Sequence, residues 1–180
     1  MRVLVLQHPQ EQDVELGTAP VLLAALPQAR KAIGLSWSSL PHALGEEVDR
    51  ARWAVVYPGS LPRPLTPSEH AQPAVLMDKK GRALAPADLD GVVVLDGSWS
   101  QAKALWWRNA WLLKLGRVVL HPREPSIYGR MRAEPRREYL STLEAVADAL
   151  SALGEPLEVR DELRRLFRTM VQRARDARKG

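Results

Sequence analysis

Val92-Val93-Val94-Leu95-Asp96-Gly97-Ser98-Trp99-Ser100-Gln101-Ala102 is the stretch on which the fold turns. Four apolar residues in a row after Gly91, three of them β-branched, suit a strand buried on both faces, as in a parallel sheet covered by helices. The run ends on an acidic residue, turns at Gly97 and enters a helix. Ser98, with Gln101 three residues on, matches a capping box. Open α/β sheets bind ligands outside the carboxyl ends of their strands, so Asp96 is expected at the mouth of such a crevice. The helix start would offer free N–H groups and a positive dipole end to an anion. From pattern alone a second reading weighs equally: Asp96 and Ser98 cap the helix and Trp99 is core.

Outward from this unit the chain alternates strand-like and helix-like segments. Arg2 to Gln7, Lys31 to Trp37, Trp53 to Tyr57, Gly91 to Leu95 and Arg117 to Leu120 read as strands. Thr18 to Ala29, Trp99 to Leu115 and Thr142 to Leu153 read as helices. Ser38 to Arg50 reads as a polar link. Pro58 to Gln72 holds four prolines and reads as an irregular loop, and His121 to Tyr139 reads as a Pro/Arg-rich one. The alternation predicts a single α/β domain over residues 1–180 with a mostly parallel sheet. A final amphipathic helix is expected at about 157–178. Its apolar residues, Leu163, Leu166, Phe167, Met170, Val171 and Ala174, form one stripe suited to core packing.

Composition narrows the class. The chain has 180 residues, 46% hydrophobic and 26% charged, which is ordinary for a globular domain. It has no cysteine, which removes disulfides, thiolate zinc sites, iron–sulfur clusters and cysteine nucleophiles together, and which suits a cytoplasmic setting. No apolar run approaches the roughly 20 residues of a membrane span. Net charge is +5, and the segment Arg160 to Lys179 accounts for it, with eight basic and three acidic residues. Charge concentrated in this way attracts polyphosphate, which points to structured RNA; a solvated helix face is the commoner explanation of such a run taken alone.

Other signals are weaker. No phosphate loop, G-x-G-x-x-G turn, H-E-x-x-H or G-x-S-x-G elbow is present. The four histidines lack metal-ligand spacing and read as loop or surface residues. Ser141 and Glu144 match a second capping box. Arg123, Arg130 and Arg132, interleaved with Tyr128, suit phosphate contacts plus base stacking, or else a solvated loop. Of six tryptophans, Trp107 and Trp111 stand at i, i+4 and are expected to share a helix face.

Asp96-Gly97-Ser98-Trp99 resembles the D-x-[ST]-W element of the DTW-domain family, with serine where threonine is usual. Four more segments agree in order: Gln7-His8-Pro9 with Glu11 and then Gly17-Thr18-Ala19, Tyr57-Pro58-Gly59, Arg123 to Arg132, and Ser141-Thr142-x-Glu144-Ala145. The resemblance implies a SPOUT-like fold with a trefoil knot. It implies transfer of the 3-amino-3-carboxypropyl group of S-adenosylmethionine to N3 of a tRNA uridine, with methylthioadenosine released. The cysteine-rich element of many relatives is missing, so no metal is carried over. On this resemblance Asp96 and Trp99 are the catalytic candidates, and Tyr57, Pro58, Gly59, Ser98, Ser141 and Thr142 the donor-binding ones. Arg123, Arg130, Arg132 and the last helix are the RNA-binding candidates. A SPOUT-type RNA methyltransferase and a non-catalytic RNA-binding module stand as alternatives.

Overall fold

A computed structural model describes residues 1–57, 63–122, 125–129 and 140–178. Among them six strands form one sheet: β1 (Arg2–Gln7), β2 (Ala29–Ile33), β3 (Trp53–Tyr57), β4 (Ala74–Met77), β5 (Gly91–Asp96) and β6 (Gly116–Leu120). The order is β2-β1-β5-β3-β6-β4. Every pairing is parallel except β4 with β6, so the mostly parallel sheet expected from the alternation is present.

Side chains of a strand alternate between faces, and the two faces bury different clusters. Val3, Val5, Ala54, Val56, Val92, Val94 and Val118 pack under α1 (Ala19–Ala25), α5 (Thr142–Ala152) and α6 (Leu157–Ala177). Leu4, Leu6, Trp53, Val55, Val93 and Leu95 pack under α2 (Leu40–Leu44) and α4 (Trp99–Arg108). The result is three layers, with β5 buried along its whole length as its unbroken apolar run requires. The α6 stripe lies inward as expected: Leu163, Phe167 and Val171 are buried, and Phe167 meets Tyr128 edge-on at 4.7 Å.

Several boundaries differ from the sequence expectation. α1 stops at Ala25 because Leu26 precedes Pro27 and takes an extended conformation. β2 then begins at Ala29 and ends at Ile33 rather than reaching Trp37. The chain leaves the sheet there to bond the end of α4, with the Ser36 hydroxyl donating to Arg108 O (3.1 Å) and Trp37 N to Asn109 Oδ1 (2.8 Å). The polar link holds α2, capped by Ser39. The proline-rich stretch holds one helical turn, α3 (Pro67–His70), capped by Thr66 and Glu69.

The long helix from Trp99 ends at Arg108 and resumes as a 3-10 turn over Ala110–Lys114. Asn109 between them is fully buried, and its amide donates to Leu105 O (2.8 Å) and Leu35 O (3.1 Å). This break turns Trp111 inward to Trp37 O (3.0 Å) while Trp107 stays 76% exposed, so the two do not share a face.

Candidate functional site

The carboxyl ends of β1 and β5 meet with Gln7 directly beside Asp96. The Gln7 amide donates to Asp96 Oδ2 at 2.7 Å, and His8 N donates to Asp96 O at 2.9 Å. Both side chains are buried, Gln7 at 2% and Asp96 at 3% exposure. Asp96 is therefore buried at the strand end rather than open to solvent as expected, with Oδ2 taken by Gln7 and Oδ1 the other carboxylate oxygen. Because the amide nitrogen of Gln7 is committed to the carboxylate, its Oε1 faces away and is buried without a partner. An unmet buried acceptor costs about 1–3 kcal/mol, and a ligand N–H would remove that cost. Sequence reading placed Gln7 at the end of a strand and in the Gln7-His8-Pro9 segment, but not among the site residues.

The turn after Asp96 needs glycine. A Cβ at Gly97 would stand 2.9 Å from Gln101 Cβ and 3.4 Å from His8 Cβ. The capping box forms: Ser98 N donates to Gln101 Oε1 (2.6 Å) and Gln101 N to Ser98 Oγ (3.4 Å). Trp99, half-buried, opens α4 with Lys103 Nζ 5.5 Å from its ring centre.

Tyr57 ends β3 at the same edge but on the opposite face of the sheet from Asp96. Its ring meets Trp106 edge-on at 5.0 Å, and the Arg117 guanidinium lies 4.6 Å above it. Its ring is thus packed between two neighbours. Arg117, which sequence reading passed over, has a buried Nε with no partner. Pro58 and Gly59 lie outside the described residues.

At the start of α5, Glu144 is fully buried and gathers four donors: Ser126 Oγ (2.7 Å), Ile127 N (2.9 Å), Ser141 N (3.0 Å) and Ser141 Oγ (2.8 Å). Ser141 also caps α5 through Glu144 N at 3.1 Å. The S-T-x-E-A segment is thus a clamp tying residues 126–127 to the helix, and the Ser141 side chain is used within it. Thr142 is the first residue of α5 and is half-buried. The same segment anchors Tyr128, whose hydroxyl donates to Leu16 O at 2.5 Å and which is 1% exposed. Tyr128 is core, not the base-stacking residue the sequence pattern suggested. Arg123, Arg130 and Arg132 lie outside the described residues.

The basic residues of α6 divide. Arg160 and Arg164 both reach Asp148 Oδ1, at 2.9 and 3.1 Å, and Arg164 is 7% exposed. Arg165 pairs with Glu162, whose carboxyl the guanidinium holds below its ordinary range. Arg168, Arg173 and Arg175, with Ile127, Thr169, Val171 and Gln172, line an open cleft of about 500 Å³. Two of the histidines meet at the surface, with His70 Nδ1 and His121 Nε2 3.0 Å apart. Among the described residues no group of three or more His, Asp or Glu could hold a metal ion, and no helix is long and apolar enough to cross a membrane.

A family model for the DTW domain matches the chain over residues 1–175, a range that takes in the Gln7-His8-Pro9 edge, Asp96-Gly97-Ser98-Trp99 and the Ser141–Glu144 clamp. The chain belongs to the DTW-domain family. It is 29% identical over 164 residues to tRNA-uridine aminocarboxypropyltransferase 2 of Macaca fascicularis, covering 89% of this chain and 50% of that protein. Against the protein of the same name from Drosophila melanogaster it is 30% identical over 176 residues, 95% of this chain and 63% of that one. Against the one from Mus musculus it is 30% identical over 152 residues, 83% and 46%. The DTW chain thus spans about half to under two thirds of the length of these relatives. No solved structure matches it.

Proposed function

We propose that this DTW protein transfers the 3-amino-3-carboxypropyl group of S-adenosylmethionine to N3 of a uridine in tRNA. The observation that carries the reading is the buried Gln7–Asp96 pair at the strand ends, in a chain whose relatives are named for this transfer. The donor is a sulfonium, so its carbon is already activated toward a nucleophile. The amino-acid carbon forms a bond to N3, the bond from that carbon to sulfur breaks, and the electron pair stays on sulfur as neutral methylthioadenosine. The N3 proton passes to Asp96 Oδ1, or Asp96 holds the imide while water takes it. General-base help of this kind contributes about 10²–10⁴ in rate.

Gln7 Oε1 suits the donor's ammonium, which would meet its unpartnered lone pairs. The Ser98 end of α4 supplies free N–H groups for a carboxylate, and Trp99 walls the pocket beside it. Tyr57 would meet the ligand from the other side of the sheet edge. Ser141 supports the pocket through its clamp, and Thr142 lies at the same helix start. The aligned segments carry Pro58, Gly59, Arg123, Arg130 and Arg132 into the reading by resemblance. The knotted SPOUT-like path belongs to it as well. Its support is the resemblance together with β5, which inserts between two earlier strands. A tRNA substrate would be met in the cytoplasm, and nothing in the step calls for a Lewis acid.

Unmodified tRNA incubated with donor labelled separately in the methyl and carboxyl carbons tests the proposal. Carboxyl label should enter the RNA and methyl label should leave as methylthioadenosine. Methyl label in RNA, with S-adenosylhomocysteine released, would establish a methyltransferase instead. No label in RNA with tight tRNA binding would leave the non-catalytic module.

A further inference from the structure

The outer face of α4 carries three residues at successive i, i+4 spacings: Trp99, Lys103 and Trp107. On a helix such residues stack along one stripe, and at 1.5 Å per residue the two indoles are about 12 Å apart. Trp99 stands beside the Asp96 turn, with Lys103 Nζ 5.5 Å from its ring centre. Trp107, at 76% exposure, is the most open large apolar side chain among the described residues. Lys103 and Arg108 on the same helix are exposed as well. From Gly97 to Arg123 the sequence holds five basic residues (Lys103, Arg108, Lys114, Arg117 and Arg123) and no acidic one.

We infer that this face is an RNA-stacking surface. On the reading given above, it holds an unpaired nucleotide of the tRNA while the target uridine lies against the Trp99 end. An indole left in water gains from a base laid on it, since every base has a π-face, and the flanking cations meet the adjoining phosphates. A second copy of the chain is a poorer occupant. Two such faces would bring Lys103 and Arg108 against their own kind, with no carboxylate on the stripe to answer them.

The test measures binding of an unmodified tRNA transcript, without donor, to the whole chain and to Trp107→Ala, Trp107→Phe and Lys103→Gln. Trp107 is open to solvent, so the thermal midpoint of Trp107→Ala should match that of the parent. Trp107→Ala should weaken binding about five- to 150-fold and leave the slope of affinity against salt unchanged. Trp107→Phe should recover most of the loss. Lys103→Gln should reduce that slope by about one. Equal affinity for parent and Trp107→Ala would overturn the surface while leaving the transfer reaction intact. A parent dimer in sedimentation that Trp107→Ala dissolves would assign the face to self-association instead. A parent that binds no tRNA at all would sink both this surface and the function proposed above.

Discussion

Removal of the Glu144 carboxylate probes the clamp at the start of α5 most directly. Glu144→Ala deletes four hydrogen bonds at a fully buried position and leaves Ile127 N and Ser141 N without their acceptor. Hydrogen bonds to a charged group contribute about 1.5–3 kcal/mol each, but four that share one carboxylate are lost together and do not add. The charge leaves with the side chain and the donors left behind are neutral; at about 1–3 kcal/mol for each buried backbone N–H left unmet, a loss of roughly 3–5 kcal/mol is expected here. For a chain of this size, each kcal/mol moves the midpoint by roughly 2–4 °C, so melting should fall by about 6–20 °C. Glu144→Gln keeps one acceptor oxygen but turns an NH2 toward the remaining donors, and it should fall between. Calorimetry gives the midpoint, and amide exchange at Ile127 and Ser141 should quicken before global unfolding. A Glu144→Ala midpoint within about 2 °C of the parent would refute the clamp.

Three further outcomes follow from other parts of the molecule. Asp96→Asn should keep fold and donor binding yet lose roughly 10²-fold or more in turnover; a soluble variant with near-parental turnover would remove Asp96 from the chemistry. Asp148→Ala removes the carboxylate that Arg160 shares with the buried Arg164 and should cost about 1–3 kcal/mol in denaturant titration, whereas Asp148→Ala combined with Arg164→Met should recover part of it. Glu69 is held at about 2 by the Arg63 guanidinium and Thr66 N–H, and Asp78 at about 2 chiefly by Arg82 N–H. Folded values below the unfolded ones of about 4 mean that these contacts support the fold fully above about pH 4 and lose that support as pH falls toward 2. A carboxylate titration by NMR with both midpoints near 4 would refute that.

β5 and β3 were legible because a strand buried on both faces needs a run of apolar, β-branched residues, and Val92 to Leu95 and Trp53 to Tyr57 carry it without interruption. The Ser98 and Ser141 caps were legible because their partners lie three residues away in sequence. β4 was not: Ala74–Met77 is four residues long, has no alternation and follows five prolines (Pro58, Pro62, Pro64, Pro67 and Pro73), and only its pairing with β6 makes it a strand. The break in the long helix was hidden because Asn109 ends it with bonds to Leu35 and Trp37, more than 70 residues earlier. The candidate site divides in the same way. Asp96 and its turn are local and readable. Its partnership with Gln7, the opposite facing of Tyr57 and the burial of Tyr128 depend on strand order and on packing between distant segments.

The place of β5 also bears on how the chain comes to be folded. β1 and β3 are made first, yet neither pairs with the other: the strand that joins them is synthesised some 35 residues after β3 ends. Until then β1 has only β2 beside it, and apolar edges stand open on either side of the gap. Unpaired edges of this kind recruit other chains, and contacts so far apart in sequence form slowly. A nascent chain halted before Gly91 would therefore be the species most in need of a chaperone. The ribosome's pace between β3 and β5, where the described residues add β4 to the sheet, sets how long that exposure lasts.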